Sequence, residues 1–339
     1  MNMSQPTLKD VALRAGVSAM TASEVARSSD RVAPETRARV LEAMQALGYE
    51  PNQTARAMRL SKSFTIAYVA ANPHDFADPA MGLNLAALLE HFDATGYNLN
   101  IQTLSDHGEQ ALRGLQRSLR QKRIDGAIIA ALPGGALLEE LIGWNHPIVL
   151  YDQPQTQTNT VWAEYRDGIV QAVKHLAARG RRQIAFIGGP NEQAMPYYLN
   201  SERHAGFLEG MKTVGLEIDP KLVLNSDYSI EGGRQAALKL LEGKRRPDAI
   251  VAASDRMAFG ALQAASTLGL RVPGDIAVTG FNDHELALFS NPPLTTIRFP
   301  IREMALKAAE LLFTQINQTA QGQPLRAAIP VELVARDSS

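Results

Sequence analysis

The sequence predicts two fold classes in one chain: an all-α helix-turn-helix headpiece, then an α/β core of two doubly wound parallel-sheet lobes. Three observations predict this. Residues Thr7 to Ser18 spell two helix starts separated by a glycine turn. From Phe64 onward, short apolar runs alternate with helical patterns, the mark of parallel strands covered by helices. That alternation occurs twice, so two lobes follow. A length of 339 residues accommodates two or three domains, and a hydrophobic fraction of 45% can fill their cores.

In the head, Leu8, Val11, Ala12 and Ala15 fall on one face of a helix. Thr7 with Asp10 is a capping-box start, Gly16 supplies the sharp turn, and Ser18 can cap a second helix from Ala19. In a helix-turn-helix that second helix enters the major groove of DNA; the alternative is an ordinary helical hairpin. A third helix starts near Pro34, with Val40, Leu41, Met44 and Leu47 on one face and Gly48 as its stop. Tyr49-Glu50-Pro51-Asn52 then breaks the chain. Gln53 to Leu60 would be a further helix, too short to stand alone in water; a plain linker is the alternative. The headpiece is expected over 1–50, the hinge helix and linker over 51–62, and the core over 63–339.

In the first lobe, strands are expected near Phe64–Ala70, Asn98–Leu104, Ile124–Ala131 and Pro147–Tyr151, with helices near Ala80–Thr95, Gly108–Lys122 and Gly135–Gly143. In the second, strands are expected near Gln183–Gly188, Lys221–Asn225, Asp248–Ala253 and Ile276–Phe281. Its helices are expected near Tyr165–Arg179, Ser201–Val214, Ile230–Glu242 and Asp255–Leu268. Two late strands, Leu294–Arg298 and Ile329–Val334, are expected to cross between lobes. The amino-terminal lobe would then hold about 63–162 and 294–325, and the carboxy-terminal lobe about 163–293 and 326–339.

The charge distribution agrees with contact to nucleic acid by the head alone. The chain carries a net charge of -1, but residues 1–62 hold nine Lys/Arg against six Asp/Glu. There is no cysteine, which removes disulfides, thiolate zinc sites and cysteine nucleophiles. The amino end lacks the pattern of a secretory signal, and no run of about 18 apolar residues exists to span a membrane. A cytoplasmic protein is expected. No Walker loop, Gly-x-Ser-x-Gly or His-Glu-x-x-His occurs, and the seven histidines are scattered. No catalytic residue, metal site or cofactor is expected.

Several motifs in order resemble the lactose-repressor/galactose-repressor (LacI/GalR) family of bacterial transcription regulators over almost the whole chain. They are Thr7–Ser18, Tyr49-x-Pro51-Asn52, Ala55-Arg56-Ala57, Arg203-x-x-Gly206-Phe207 and Asp255-x-Met257-Ala258-x-Gly260. Pro273-x-Asp275-Ile276-x-Val278, Val278-x-Gly280-Phe281-Asn282-Asp283 and Pro293-Leu294-Thr295-Thr296-Ile297 complete them. The resemblance implies a headpiece, a hinge helix and a core like the periplasmic sugar-binding proteins (type I). It implies a dimer on a palindromic operator, controlled by a small effector, often a sugar. Three positions depart from the pattern: Glu24 where Arg is usual, Met58 where Leu is usual, and Glu164-Tyr165-Arg166-Asp167-Gly168 where Asp-Asn-x-x-Gly is usual.

By this resemblance Ala19, Met20 and Glu24 match base-reading positions. Ala and Met can touch a thymine methyl, and Glu24 can accept from cytosine but cannot read guanine. Ser18, Thr21, Ser23, Arg27, Arg31 and Thr36 are expected to position the head on phosphates, and Thr7, Asn52 and Arg56 join the DNA-binding set. Met58 matches the wedge that paired hinge helices insert into the minor groove.

Effector should lie between the lobes at the carboxyl ends of the strands. Arg203 matches the family arginine that forks onto ligand. Asp255 either bonds ligand or caps its helix. Asn72, His74, Asp75 and Phe76 form the loop after the first core strand. Asp152 and Asn282 follow other strands, and Tyr228 matches a stacking position. Such a set suits a sugar, sugar acid or sugar phosphate, and less well a nucleobase. The chain ends soon after its last strand without a leucine heptad, so a dimer rather than a tetramer is expected. A secreted sugar-binding protein is the rival reading of the core, and a regulator with an altered DNA code is the rival suggested by Glu24.

Overall fold

The protein is described here by a computed structural model covering residues 6–26, 32–49, 60–70, 79–104, 108–130, 139–141, 143–154, 157–190, 198–243, 245–317 and 323–339. The chain forms two compact units, Met1–Ser63 and Phe64–Ser339.

The first unit holds α1 (Leu8–Ala15), α2 (Ala19–Val25) and α3 (Pro34–Leu47). Asp10 accepts from both the N–H and the hydroxyl of Thr7, each at 2.7 Å. These bonds hold its carboxyl below the ordinary range. Gly16 ends α1 at φ +63°, a conformation that a Cβ would strain. The Ser18 hydroxyl accepts the Thr21 N–H at 3.0 Å and so caps α2. Val11, Ala12, Ala15, Ala22, Val25, Val40 and Ala43 form the core. The small side chains let three short helices approach closely. One expectation is corrected: Leu41 is half exposed, and Ala43 takes the inner position on α3, because its inner face turns toward the small residues of α1.

The second unit contains β1 (Thr65–Ala70), α4 (Pro79–Ala94), β2 (Asn98–Thr103), α5 (Gly108–Arg120), β3 (Gly126–Ala130), β4 (Ile148–Tyr151) and β5 (Thr160–Ala163). It continues through α6 (Tyr165–Ala178), β6 (Ile184–Gly188), α7 (Tyr198–Thr213), β7 (Val223–Asn225), α8 (Ile230–Leu241), β8 (Ala249–Ala252), α9 (Asp255–Thr267) and β9 (Ala277–Asn282). It ends with α10 (Glu285–Phe289), β10 (Thr295–Arg298), α11 (Ile301–Asn317), β11 (Arg326–Ile329) and β12 (Glu332–Val334).

Two six-stranded sheets result, ordered β11-β5-β4-β3-β1-β2 and β12-β10-β9-β8-β6-β7. All pairs are parallel except β10 with β12. Central strands β1, β3, β4, β6 and β8 are buried almost throughout, as strands covered on both faces must be.

The lobe crossings fall one strand later than expected. β10 pairs β9 in the second sheet, and α11 is the element that returns to the first lobe. β11 then pairs β5 in the first sheet, and β12 crosses back. The expected strand Ile329–Val334 is therefore two strands in two sheets, parted at Pro330, which has no N–H for a ladder. Strand β5 and helices α10 and α11 were absent from the sequence expectations. The first two are four and five residues long, too short for a clear period. Helix α11 carries a legible one: Met304, Ala305, Ala308, Leu311 and Leu312 are buried.

Candidate functional site: a DNA-facing helix and an interlobe cleft

In the headpiece, Ser18, Ala19 and Met20 are exposed at the start of α2, with Met20 74% exposed. Thr21, Ser23, Glu24 and Thr36 are partly exposed, and Thr7 is exposed. A large apolar side chain left in water on a cap-stabilised helix fits contact with a partner. Part of the polar set is occupied locally, since the Ser18 and Thr21 hydroxyls lie 2.9 Å apart and Thr7 is tied to Asp10. Arg27, Arg31, Asn52, Arg56 and Met58 lie outside the described residues, as do Asn72, His74, Asp75 and Phe76.

In the core, the strand ends of both sheets converge on one polar and aromatic cluster. Asp152 follows β4 of the first lobe at φ +63°, and Tyr165 opens α6 of the second. The Tyr165 hydroxyl donates to Asp152 Oδ2, while Asp152 Oδ1 is buried with no partner among the described residues. Burial raises the Asp152 carboxyl to about 6. The Tyr165 hydrogen bond, the nearby Arg203 charge and the Ala163 N–H oppose that rise. Burial and the neighbouring carboxylate push the Tyr165 phenol well above its usual value, so it remains a donor.

Arg203 comes from α7 and is 5% exposed. Its Cζ lies 4.5 Å from the ring centroid of Phe281, 4.7 Å from Tyr165 and 5.6 Å from Tyr228. Three rings thus face one cation, a favourable arrangement away from water. It donates to the Tyr228 hydroxyl at 3.2 Å, which in turn donates to Asn200 Oδ1. Its Nε is buried and unpaired. Tyr228 sits at φ +64° with its ring over Gly189, where a Cβ would fall 2.4 Å from the ring. Glycine there makes the stacking surface possible.

Asn282 ends β9 at φ +116° and lines a cavity of about 330 Å³ with Ala80, Leu83, His284 and Ile301. Asp255 does not cap α9; Ser254 does, accepting from the Met257 N–H. Both Asp255 oxygens are engaged, one by the His284 N–H at 2.7 Å and the other by the Thr296 hydroxyl. Burial raises its carboxyl above the ordinary value. Asp255 therefore joins the ends of β9 and β10. Beside it, Asp283 pairs with Arg336 at 2.6 Å and Arg298 at 2.8 Å.

The structure thus brings Asp152, Arg203 and Tyr228 together. Sequence reasoning missed Tyr165, Asn200 and Phe281 as members. Tyr165 stood at a departure from the expected Asp-Asn-x-x-Gly stretch, which was a usable signal. Among the described residues no group of His, Asp and Glu could hold a metal ion, and no helix is long and apolar enough to cross a membrane.

Comparison with known proteins agrees with both halves of this geometry. Residues 7–52 match the model of bacterial regulatory proteins, lacI family, and residues 173–339 match a periplasmic binding protein-like domain. The HTH-type transcriptional regulator DegA of Bacillus subtilis (strain 168) is 32% identical, covering 98% of each chain. The HTH-type transcriptional repressor CytR of Escherichia coli (strain K12) is 31% identical over 98% of this chain and 96% of its own. Among solved structures, the lac repressor dimer bound to operator and the anti-inducer ONPF superposes with TM-score 0.80, at 30% identity over 99% of both chains. The transcriptional regulator CelR–cellobiose complex superposes with TM-score 0.73, at 30% identity over 98% of this chain and 100% of its own. With a cap-stabilised helix-turn-helix ahead of a two-lobed binding core, and relatives of this length and order, the chain belongs to the LacI family and is a DNA-binding transcriptional repressor, not an enzyme.

Proposed function

We propose that the protein represses a bacterial operon for carbohydrate catabolism, binding a palindromic operator as a homodimer in the cytoplasm. A small sugar-like effector in the interlobe cleft controls it. The observation that carries the reading is Arg203: a buried guanidinium with an unused Nε, set among the rings of Tyr165, Tyr228 and Phe281, with a buried and equally unused Asp152 oxygen in the same cluster. Planar polar groups above aromatic faces suit a polyol ring, and the cleft lies at the strand ends where open α/β sheets bind ligands. The CelR relative is named as a cellobiose complex, which supports the same ligand class. The lac repressor relative is named as a dimer on operator, which supports the same assembly.

The cleft joins elements of both lobes, so an effector can favour one lobe arrangement over another. A few kcal/mol of differential binding suffices to switch operator occupancy. The hinge segment 52–60 with Met58, on this reading, transmits the change. In the head, Ala19 and Met20 contact thymine methyls, and Glu24 turns the base code away from guanine.

The test is selection of operator from random duplexes with the full chain, followed by binding in the presence of sugars. A palindromic motif should be enriched, and one sugar should alter its occupancy. Arg203→Ala should retain operator binding while weakening the sugar by about 2–3 kcal/mol. No enriched motif, or operator binding indifferent to every sugar and to Arg203→Ala, would overturn the reading.

A further inference from the structure

The unused polar atoms of the cleft do not stop at Asp152. Tyr68 projects from β1 toward α4, and Asn84 of α4 donates to its hydroxyl at 2.8 Å. The Tyr68 hydroxyl also reaches Met81 Sδ at 3.3 Å. The other side of Asn84, its Oδ1, is buried with no partner among the described residues. Tyr151, the last residue of β4, has its hydroxyl equally buried and unpartnered. Tyr151 lies within electrostatic reach of both Tyr68 and Asp152. Asn84 and Tyr151 are 4% and 6% exposed. A file of polar groups therefore runs Asn84, Tyr68, Tyr151, Asp152, Tyr165, Arg203, from the first lobe into the second.

Buried polar atoms are almost always hydrogen-bonded, because desolvation without a partner is unrecovered cost. Here four such atoms occur along one file: Asn84 Oδ1, Tyr151 Oη, Asp152 Oδ1 and Arg203 Nε. Two accept only, one donates only, and one does either. Their complement is a ligand with at least two donors and one acceptor spread along its length. Charge narrows the class further. The only cation of the file, Arg203, is opposed by the Asp152 carboxyl. An anionic group at Arg203 would meet that carboxylate, whereas hydroxyls satisfy both.

We propose that Asn84 and Tyr151 form a second polar subsite of the effector cleft, on the amino-terminal lobe, and select an uncharged, hydroxyl-rich ligand over sugar acids and sugar phosphates. This rests on the reading of Arg203 and Asp152 as the effector site. Asn84 and Tyr151 touch ligand hydroxyls, and the Tyr68 hydroxyl holds the Asn84 amide in orientation by accepting its N–H.

The test is calorimetric titration of the full chain and its variants with matched probes. The uncharged set is glucose, galactose, ribose and cellobiose; the charged set is glucose 6-phosphate, galacturonate and ribose 5-phosphate. An uncharged probe should bind, and Tyr151→Phe should weaken it about tenfold, the effect of losing one hydrogen bond of ordinary strength. The same change should leave the melting temperature of ligand-free protein equal or higher, since the hydroxyl it removes has no partner. A merely structural hydroxyl would not separate these two readouts. Asn84→Leu should weaken the same probe at least as much, and Asn84→Gln should not restore it.

Binding only by charged probes, sensitive to Arg203→Ala, would overturn the proposal while leaving the effector site standing. Binding of an uncharged probe unchanged in both Tyr151→Phe and Asn84→Leu would do the same. Failure of every probe, charged and uncharged, would remove both the subsite and the site reading on which it rests.

Discussion

Asp152 has its carboxyl buried beside the Tyr165 ring, with the Tyr165 hydroxyl and the Ala163 N–H as its donors, and the consequence is measurable with pH. Its carboxyl titrates near 6 when folded against an ordinary 3.8, because burial disfavours the charged form. Between about pH 4 and 6 the folded state therefore binds more protons than the unfolded chain, and stability falls as pH rises through that window. Asp152→Asn keeps an acceptor for the Tyr165 hydroxyl and removes the titration. At pH 7 the ligand-free variant should be more stable than the wild type by about 1–3 kcal/mol, with a flatter profile from pH 4 to 6. Thermal melts across that range check it; an unchanged slope would assign the dependence to another group. Arg203 was legible from its motif alone. Tyr165 was not, because only folding brings the start of α6 against the end of β4. Of the two readings open for Asp255, ligand contact or helix cap, the cap is excluded for a local reason: Ser254, one residue earlier, has the extended backbone that a cap requires.

Among the elements, α8 and α9 show what a family motif means physically. In Asp255-x-Met257-Ala258-x-Gly260, Met257 and Ala258 are fully buried. A Cβ at Gly260 would fall 2.1 Å from Ile230 O and 2.4 Å from Arg234 N, both backbone atoms of α8 that cannot yield. Gly233 of α8 meets Met257 in the same way. The two helices are thus in backbone contact. Gly260→Ala gains up to about 1 kcal/mol of helix propensity, yet the protein should lose about 1–3 kcal/mol from the forced separation. Gly114, on α5, has nothing within 4 Å of a built Cβ. Gly114→Ala should accordingly stabilise by about 0.4–1 kcal/mol. Urea unfolding of both variants separates these outcomes, and equal effects would refute the close-contact account. Element type was legible through their periods for the long strands and helices other than α11, whose period is present but was passed over. Pairing was not: β10 reads as a strand in either lobe until its register against β9, Thr295 to Thr279 through Arg298 to Asn282, is seen.

For the whole molecule, α10 leaves an apolar surface exposed that suits the proposed homodimer. Leu286, Leu288 and Phe289 are 64%, 56% and 71% exposed on a helix of five residues. This helix follows directly on Asn282 to His284, which line the cavity of about 330 Å³, so a partner seated there would sense that cavity. If α10 is the contact of the proposed homodimer, Phe289→Glu should shift the protein from dimer to monomer, read by sedimentation, with an unchanged circular dichroism spectrum. Operator affinity should fall by about 10²-fold or more, because the two half-sites would no longer be bound as one linked event. A Phe289→Glu protein that remains dimeric would place the contact between copies elsewhere.

By itself the sequence determined the two-part plan, since capping residues, apolar periods and ordered motifs act over a few residues and need no distant partner. The head's three helices and the alternating core rest on such short-range chemistry, and Arg203 was singled out by its place in a family motif. Only the tertiary structure decided which late strand joins which sheet, and that Asn84, Tyr151 and Tyr165 lie along one buried polar file. These residues are separated by 67 and 14 positions along the chain. What joins them is burial and strand register, which depend on every packed neighbour at once and leave no local signature.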